Sequence, residues 1–399
     1  MPVESSLPQS FKPKLPLLDL PPVDYGDQEQ AMQAYRADGT ARALAMDNRG
    51  PFRFTADGRL DPEILAAYER HGFYVFTNVL AAEELADLER DLAGLLERQP
   101  AEKDGETDRN GNPAFNAGHK SRAIGWVRPL SDPLGGTDYS YGRHPSKMYE
   151  PKAGSAAPEW VLQLIHGSLQ YSEAALRLYG HPYLLKFAEA VHGPDFTPFN
   201  EAIWVKQPRL GGSVAWHQDG WTHWQKPDLG PHTHGFNMMI QLYGCDAANG
   251  LWVVPGSNHG GKHDIKAMVA EAGSDRLPQA VPLICGPGDV AVTSRQAIHA
   301  SFANTSPNIR VTFNMGFHRR SSVLDVKSGG VHNPVSEYTA DYIRNRSRMI
   351  MYGIDARRQR YPHEESYVYA PLAAEADRFR WSPEKKAEIW DYNLQDIGI

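Results

Sequence analysis

From Glu201 onward the chain is a series of short β-branched and aromatic runs, each closed by a turn signal. The runs are Glu201–Lys206, Phe236–Tyr243, Leu251–Val254, Val281–Ile284, Asp289–Thr293 and Ile309–Phe317. Between them stand Pro208 with Gly211-Gly212, Asn249-Gly250, Pro255-Gly256 and Gly286-Pro287-Gly288. Short strands punctuated in this way predict an antiparallel sandwich or jelly roll. The 35 glycines and 30 prolines among 399 residues agree with many turns and long loops.

The first half reads differently. Residues 1–25 predict an extended arm, because Pro2, Pro8, Pro13, Pro16, Pro21 and Pro22 block helix. A short helix is expected around Gln28–Ala45. Asp61-Pro62 then pairs an N-cap residue with proline at the first helical position, and Gly72 ends that helix. Phe73–Phe76 reads as a strand, and Leu85, Leu88, Leu92, Leu95 and Leu96 recur at helical spacing. Residues 100–158 sustain neither period and are rich in Gly, Pro, Asp, Asn and Ser, which predicts a long functional loop or lid. Trp160 to His192 reads as helical, with Ser172 capping one helix through Tyr179 and a second over Pro182–Val191. Residues 320–399 look mixed, with helix near Pro383–Asp391. The expected organisation is an arm and short helix over 1–60, a main unit over 61–320 carrying the 100–158 insertion, and a C-terminal extension over 321–399 packed on that unit.

Composition narrows the function. Hydrophobic residues at 41% and charged residues at 22% are ordinary for a globular chain, and exclude a disordered chain, a collagen or a coiled coil. A net charge of −7 offers no basic field for nucleic acid or an anionic membrane. No stretch of 18 apolar residues suggests a membrane span. The opening MPVESSLPQSFKPKLPLLDLPP has prolines and charges where a signal peptide needs an apolar run, so the expected location is cytoplasmic. Cys245 and Cys285, distant in sequence, exclude a disulfide scaffold or a CxxC zinc site and read as buried small apolar residues. Arg319-Arg320 and Arg357-Arg358 read as solvated.

The chemical signal is Trp216-His217-Gln218-Asp219-Gly220. At a strand end, positions i and i+2 share a face, so His217 and Asp219 can hold one metal ion. His299 follows 80 residues after Asp219, behind a strand introduced by the Gly-Pro-Gly turn. Two histidines and one carboxylate make the facial triad of non-haem Fe(II) oxygenases, with positions open for co-substrate and O2. Arg310, eleven residues after His299, sits among apolar strand residues and needs an anionic partner if it points inward. A dicarboxylate would supply one through a bidentate fork, and Thr312 shares its face. Trp221 and Trp224 are candidates to wall a substrate pocket. Trp204 and Lys206 alternate on the preceding strand, and Lys206 is placed to meet an anionic substrate or solvent. His223, His232 and His234 invite a second-metal reading, which one triad makes unnecessary.

The order His217-x-Asp219, Asn249-Gly250-Leu251-Trp252-Val253-Val254-Pro255-Gly256-Ser257-Asn258-His259, His299, Arg310 resembles the phytanoyl-CoA dioxygenase family of Fe(II)/2-oxoglutarate oxygenases. His71-Gly72-Phe73-Tyr74-Val75-Phe76-Thr77-Asn78-Val79-Leu80 is similar to its opening helix–strand junction, and Gly180-His181-Pro182 through Asp195 to its helix before the barrel. The resemblance spans roughly 60–320. It implies a mostly β fold with flanking helices around a double-stranded β-helix, a cupin-like jelly roll. It further implies Fe(II) on His217, Asp219 and His299, with the distal carboxylate of 2-oxoglutarate on Arg310 and help from Ser301. The Pro255–His259 turn would be structural, so His259 is not expected as a ligand. A carboxylate at 219 favours hydroxylation over halogenation. The implied partners are a small-molecule substrate and O2, with neither nucleic acid nor membrane; a homodimer is compatible with this. Two other readings stay open: a non-catalytic relative that only binds a ligand, and a cupin-like metal enzyme that does not use 2-oxoglutarate.

Overall fold

The computed structural model describes residues 13–199, 201–225, 234–328 and 335–397. Thirteen strands carry its two larger sheets. In chain order they are β1 (Arg49–Gly50), β2 (Phe73–Phe76), β3 (Ile124–Val127), β4 (Val161–His166), β5 (Phe196–Pro198), β6 (Ala202–Lys206) and β7 (Val214–His217). Then follow β8 (Phe236–Gln241), β9 (Trp252–Val253), β10 (Val281–Pro282), β11 (Val290–Ser294), β12 (His299–Ser301) and β13 (Arg310–Arg319). The larger sheet runs β1-β2-β11-β8-β13-β6-β4-β3, with β5 on the far end of β13, and the smaller runs β10-β9-β12-β7. From β6 onward the chain passes back and forth between the sheets, save that β9 and β10 follow one another in the smaller: β6, β8, β11 and β13 lie in one, β7, β9, β10 and β12 in the other.

Strand parity decides what each sheet face does. Val311, Phe313, Met315 and Phe317 of β13, with Met238 and Ile240 of β8, join one apolar core with Leu88, Leu92, Leu184 and Phe187 from helices. These are the helices Ala82–Glu97 and Pro182–His192. Period-2 alternation then sends Arg310 and Thr312 to the other face. The helix Pro62–His71 starts as its sequence predicts: the Asp61 side chain accepts from Glu63 N–H, and Gly72 closes it at φ 78°.

Four expectations need correction. Val161–His166 is a strand, not helix; it joins β3 to β6 in the larger sheet. Its run Val-Leu-Gln-Leu-Ile-His is almost wholly buried, so neither period shows, and six residues suit a strand better than a helix. Within 100–158, Ile124–Val127 is also a strand, its register shifted at Gly125/Trp126. At the C-terminus, Pro383–Ile389 forms 3-10 turns, while the long helix is Ala340–Arg360.

That helix packs on the Glu173–Leu178 helix and on β5. Its Arg357 is buried, not solvated, and paired with Glu84 at 2.6 Å and Glu364 at 2.5 Å. Cys245 and Cys285 are both buried, as expected, yet they sit opposite one another across a two-residue antiparallel bridge. No helix among the described residues is long and apolar enough to cross a membrane.

Candidate active site

β7 and β12 are hydrogen-bonded neighbours, and His299 stands opposite His217 in their register. This pairing closes the 80-residue gap in the sequence. The ring centroids lie 4.1 Å apart. Asp219, two residues past His217, places Oδ1 3.5 Å from His217 Nε2 and Oδ2 3.8 Å from His299 Nε2. One ligand atom from each of the three lies within 4.8 Å of the others.

The donor set fits a divalent metal. His217 Nδ1 bonds the Ala215 carbonyl at 2.8 Å, and His299 Nδ1 bonds the Ala297 carbonyl at 2.9 Å. A carbonyl only accepts, so each Nδ1 carries the proton and each Nε2 presents a lone pair toward Asp219. Burial, then the neighbouring His217, pull the His299 imidazole down to about 4, so it is neutral at pH 7. Burial by itself raises the Asp219 carboxyl. It is nevertheless held well below the usual carboxylate range, with the buried Arg295 guanidinium among the neighbours that lower it.

Gln218, the middle letter of the motif, points elsewhere and holds the turn. Its amide donates to Gln296 O at 2.6 Å and Gly261 O at 3.0 Å, and its oxygen accepts from His263 N–H at 2.9 Å. Trp224 Nε1 donates to Asp219 O at 2.8 Å, and Asn237 Nδ2 to Asp219 Oδ2 at 2.8 Å. Two guanidiniums also approach Asp219: Arg143 Nη1 at 3.7 Å and Arg295 Nε at 3.8 Å. His144 lies beside His217, with centroids 4.4 Å apart and the rings tilted by 43°.

Behind the triad, β13, β6 and β12 enclose a narrow cavity lined by Arg310, Lys206, Ser301, Trp204 and Gln163. Arg310 and Lys206 are register partners on adjacent strands. Lys206 donates to Ser301 Oγ at 2.9 Å and to the Phe302 carbonyl, and Arg310 Nη1 donates to Asn249 O at 3.0 Å. Arg310 Nε is buried with no hydrogen-bond partner among the described residues. Burial, joined by the neighbouring Arg310 charge, pushes the Lys206 ammonium well below the usual lysine range, and burial lowers Arg310 as well. A guanidinium and a lysine amine buried side by side with no carboxylate between them among the described residues favour an anion as neighbour, which would also restore the lysine's charged form. Thr312 lies on the same face, where its hydroxyl donates to Gln241 Oε1 at 2.9 Å.

A model of the phytanoyl-CoA dioxygenase family matches residues 68–312. The chain belongs to the phytanoyl-CoA dioxygenase family. As such it is an Fe(II)- and 2-oxoglutarate-dependent oxygenase. L-proline trans-4-hydroxylase of Streptomyces griseoviridis is 26% identical over 226 residues, which is 49% of this chain and 82% of that protein. Among solved structures, EctD from S. alaskensis with 2-oxoglutarate and 5-hydroxyectoine is similar at 20% identity and a TM-score of 0.46, over 68% of this chain and 81% of that one. The epimerase SnoN from nogalamycin biosynthesis is similar at 18% identity and a TM-score of 0.42, over 65% of this chain and 82% of that one.

The sites expected from sequence in this family member fall into three places. His217, Asp219 and His299 converge. Arg310 and Ser301 share the inner cavity, and so do Trp204 and Lys206, away from the mouth where Trp221 and Trp224 lie. His259 bonds Glu69 O at 2.9 Å, tying the Pro255–His259 turn to the Pro62–His71 helix. The side chain of His223 and all of His232 lie outside the described residues; His234 packs edge-on to Trp224. Arg143, His144, Arg295 and Asn237 were not foreseen, since none stands at a telling spacing from the motif.

Proposed function

We propose that this oxygenase hydroxylates a C–H bond of a small organic molecule with release of succinate and CO2. The observation that carries the reading is the pair of imidazoles whose Nδ1 atoms are tied to carbonyls, so that both Nε2 atoms face Asp219 beside a cavity holding Arg310 and Lys206. We also assign the eight strands from β6 to β8 and β9 to β13, with β7, to a double-stranded β-helix, supported by their division between two sheets.

His217, Asp219 and His299 would hold Fe(II). Iron, with 2-oxoglutarate and O2, supplies the oxidising power for C–H cleavage. The chain's own residues do the rest. Arg310 grips the distal carboxylate of 2-oxoglutarate as a fork, Lys206 adds a second charge, and Ser301 lends its hydroxyl. Asn237 fixes the Asp219 carboxylate, Trp224 holds the Asp219 backbone carbonyl and Gln218 holds the turn, as groups behind a metal ligand do. Trp221, Trp224 and the Tyr141–Arg143 stretch border the outer pocket and shield the reacting bond from water.

Succinate release from anaerobically reconstituted Fe(II) enzyme over a substrate panel tests the reading. Replacing His217, Asp219 or His299 by Ala should abolish 2-oxoglutarate turnover while circular dichroism stays native. Full turnover in any of the three removes the triad assignment.

A further inference from the structure

Outside the triad lies a pocket of about 210 Å3. This is below the roughly 300–1,000 Å3 of sites for drug-sized ligands, so its occupant is small. One wall is apolar and aromatic. Trp221 and Trp224 line it, and Tyr141 stacks on Trp221 with centroids 3.7 Å apart and planes 14° apart. The other wall is cationic: Arg143, Lys262 and Lys266. Its one carboxylate among the described residues, Asp264, accepts from Ala267 N–H at the start of the Ile265–Ala272 helix. The described lining thus has net positive charge in a chain of net charge −7.

Arg143 is the group shared by pocket and metal site. It lines the pocket, and its Nη1 lies 3.7 Å from Asp219 Oδ1. Its Nε is buried with no hydrogen-bond partner among the described residues. The next residue, His144, is fully buried beside His217, and neither ring nitrogen has a partner among the described residues. Three consecutive residues, Ser140, Tyr141 and Gly142, hold left-handed backbone at φ 50°, 60° and 69° and aim this dipeptide inward. Polar groups that the fold buries without using are available to a ligand.

We propose that the pocket takes a small organic acid with an apolar ring, and that Arg143 binds its carboxylate. The proposal rests on the oxygenase reading above. With Asp219 committed to the metal, the charge of Arg143 turns to the substrate. A planar guanidinium suits a carboxylate held in two hydrogen bonds, which fixes the acid's orientation as well as its affinity. Trp221 and Trp224 then pack on the ring, and Lys262 and Lys266 draw the anion to the mouth. An acid held at Arg143 lies beside Asp219, so the C–H bonds next to its carboxylate are the ones nearest the metal site.

The test uses the full chain loaded anaerobically with Fe(II) and saturating 2-oxoglutarate, which occupies the inner cavity. Phenylacetate and cyclohexylacetate are titrated against their amides, read by quenching of tryptophan fluorescence. The expected result is that the acids bind at least about tenfold tighter than the amides. Arg143→Gln should erase that preference, and Arg143→Lys should restore part of it. Equal binding of acids and amides, no quenching by either, or a preference that survives Arg143→Gln overturns the proposal; the acid–amide comparison in the unaltered chain decides even if a variant fails to fold. The visible charge-transfer band of chelated 2-oxoglutarate on Fe(II), read in the same cuvette, reports the oxygenase reading separately. A chain with the band but no acid preference loses this inference alone, and one with the preference but no band loses the oxygenase reading.

Discussion

Arg310 and Lys206 face each other across a strand pair, and both are buried with no carboxylate paired to either among the described residues. If they share one end of 2-oxoglutarate, their loss should appear in its KM. Arg310→Ala should raise that KM by about ten- to a thousandfold, with kcat changed far less. Arg310→Lys should recover only part, because a point charge cannot form the fork. Lys206→Met should raise the KM by a smaller factor, since Arg310 remains. Steady-state succinate release against 2-oxoglutarate concentration measures all three, and an unchanged KM in Arg310→Ala would sink the anchor assignment. These residues were legible because they ride on strands whose alternation assigns a face. Lys206 was legible as a candidate but not its place, because register with β13 is a tertiary fact. Arg143 and His144 were not legible at all: they lie in an irregular segment, where no period links a residue to its direction.

Elements were readable where one period stood out, as in the helix Ala82–Glu97 with its apolar positions Leu85, Leu88, Leu92 and Leu95. The helix Ala340–Arg360 escaped because its buried face includes Arg346 and Arg357 along with Met349 and Ile350. Buried ion pairs there occupy positions where the sequence pattern expects apolar residues. This helix lies unusually close to its neighbour. A Cβ at Gly353 would stand 2.7 Å from the Leu176 carbonyl and 2.9 Å from the Gly180 nitrogen. Those are backbone atoms and cannot swing aside, so Gly353→Ala should cost about 1–3 kcal/mol despite its better helix propensity. Urea unfolding measures the loss; a variant as stable as the parent would show that the two helices can separate freely.

At the scale of the whole molecule, one buried cation clasps distant parts of the chain. Arg346 meets Glu201 at 2.8 Å and Asp396 at 3.2 Å, with all three side chains nearly inaccessible. It thereby joins the start of β6, the long helix and the last described turn. Removing one partner from a buried ion group leaves uncompensated charge, so Arg346→Ala should lower stability by about 3–5 kcal/mol. The C-terminal 3-10 turns should also become the first segment to exchange amide hydrogens. A loss below about 1 kcal/mol in denaturant unfolding would mean that the clasp is dispensable. From sequence, the jelly-roll expectation rested on short strands and punctuation; six of the eight strands from β6 onward fall close to the predicted runs, while β7 and β12 match none of them. The clasp had no such signature, because its three residues are spread over nearly 200 positions of the chain.

The even and odd positions of β13 serve different masters. Val311, Phe313, Met315 and Phe317 belong to the core, while Arg310 and Thr312 belong to the opposite face with its cavity. Stability and chemistry are interleaved like two messages written on alternate letters. A substitution can damage one message and spare the other, but a frame error cannot. Inserting a single Ala after Val311 would exchange the faces of the remaining strand, setting apolar side chains toward the cavity side and Asn314 and His318 against the helices. Such an insertion should therefore abolish cooperative unfolding and 2-oxoglutarate binding together. A folded but inactive product would show that the strand can buckle locally and keep its frame.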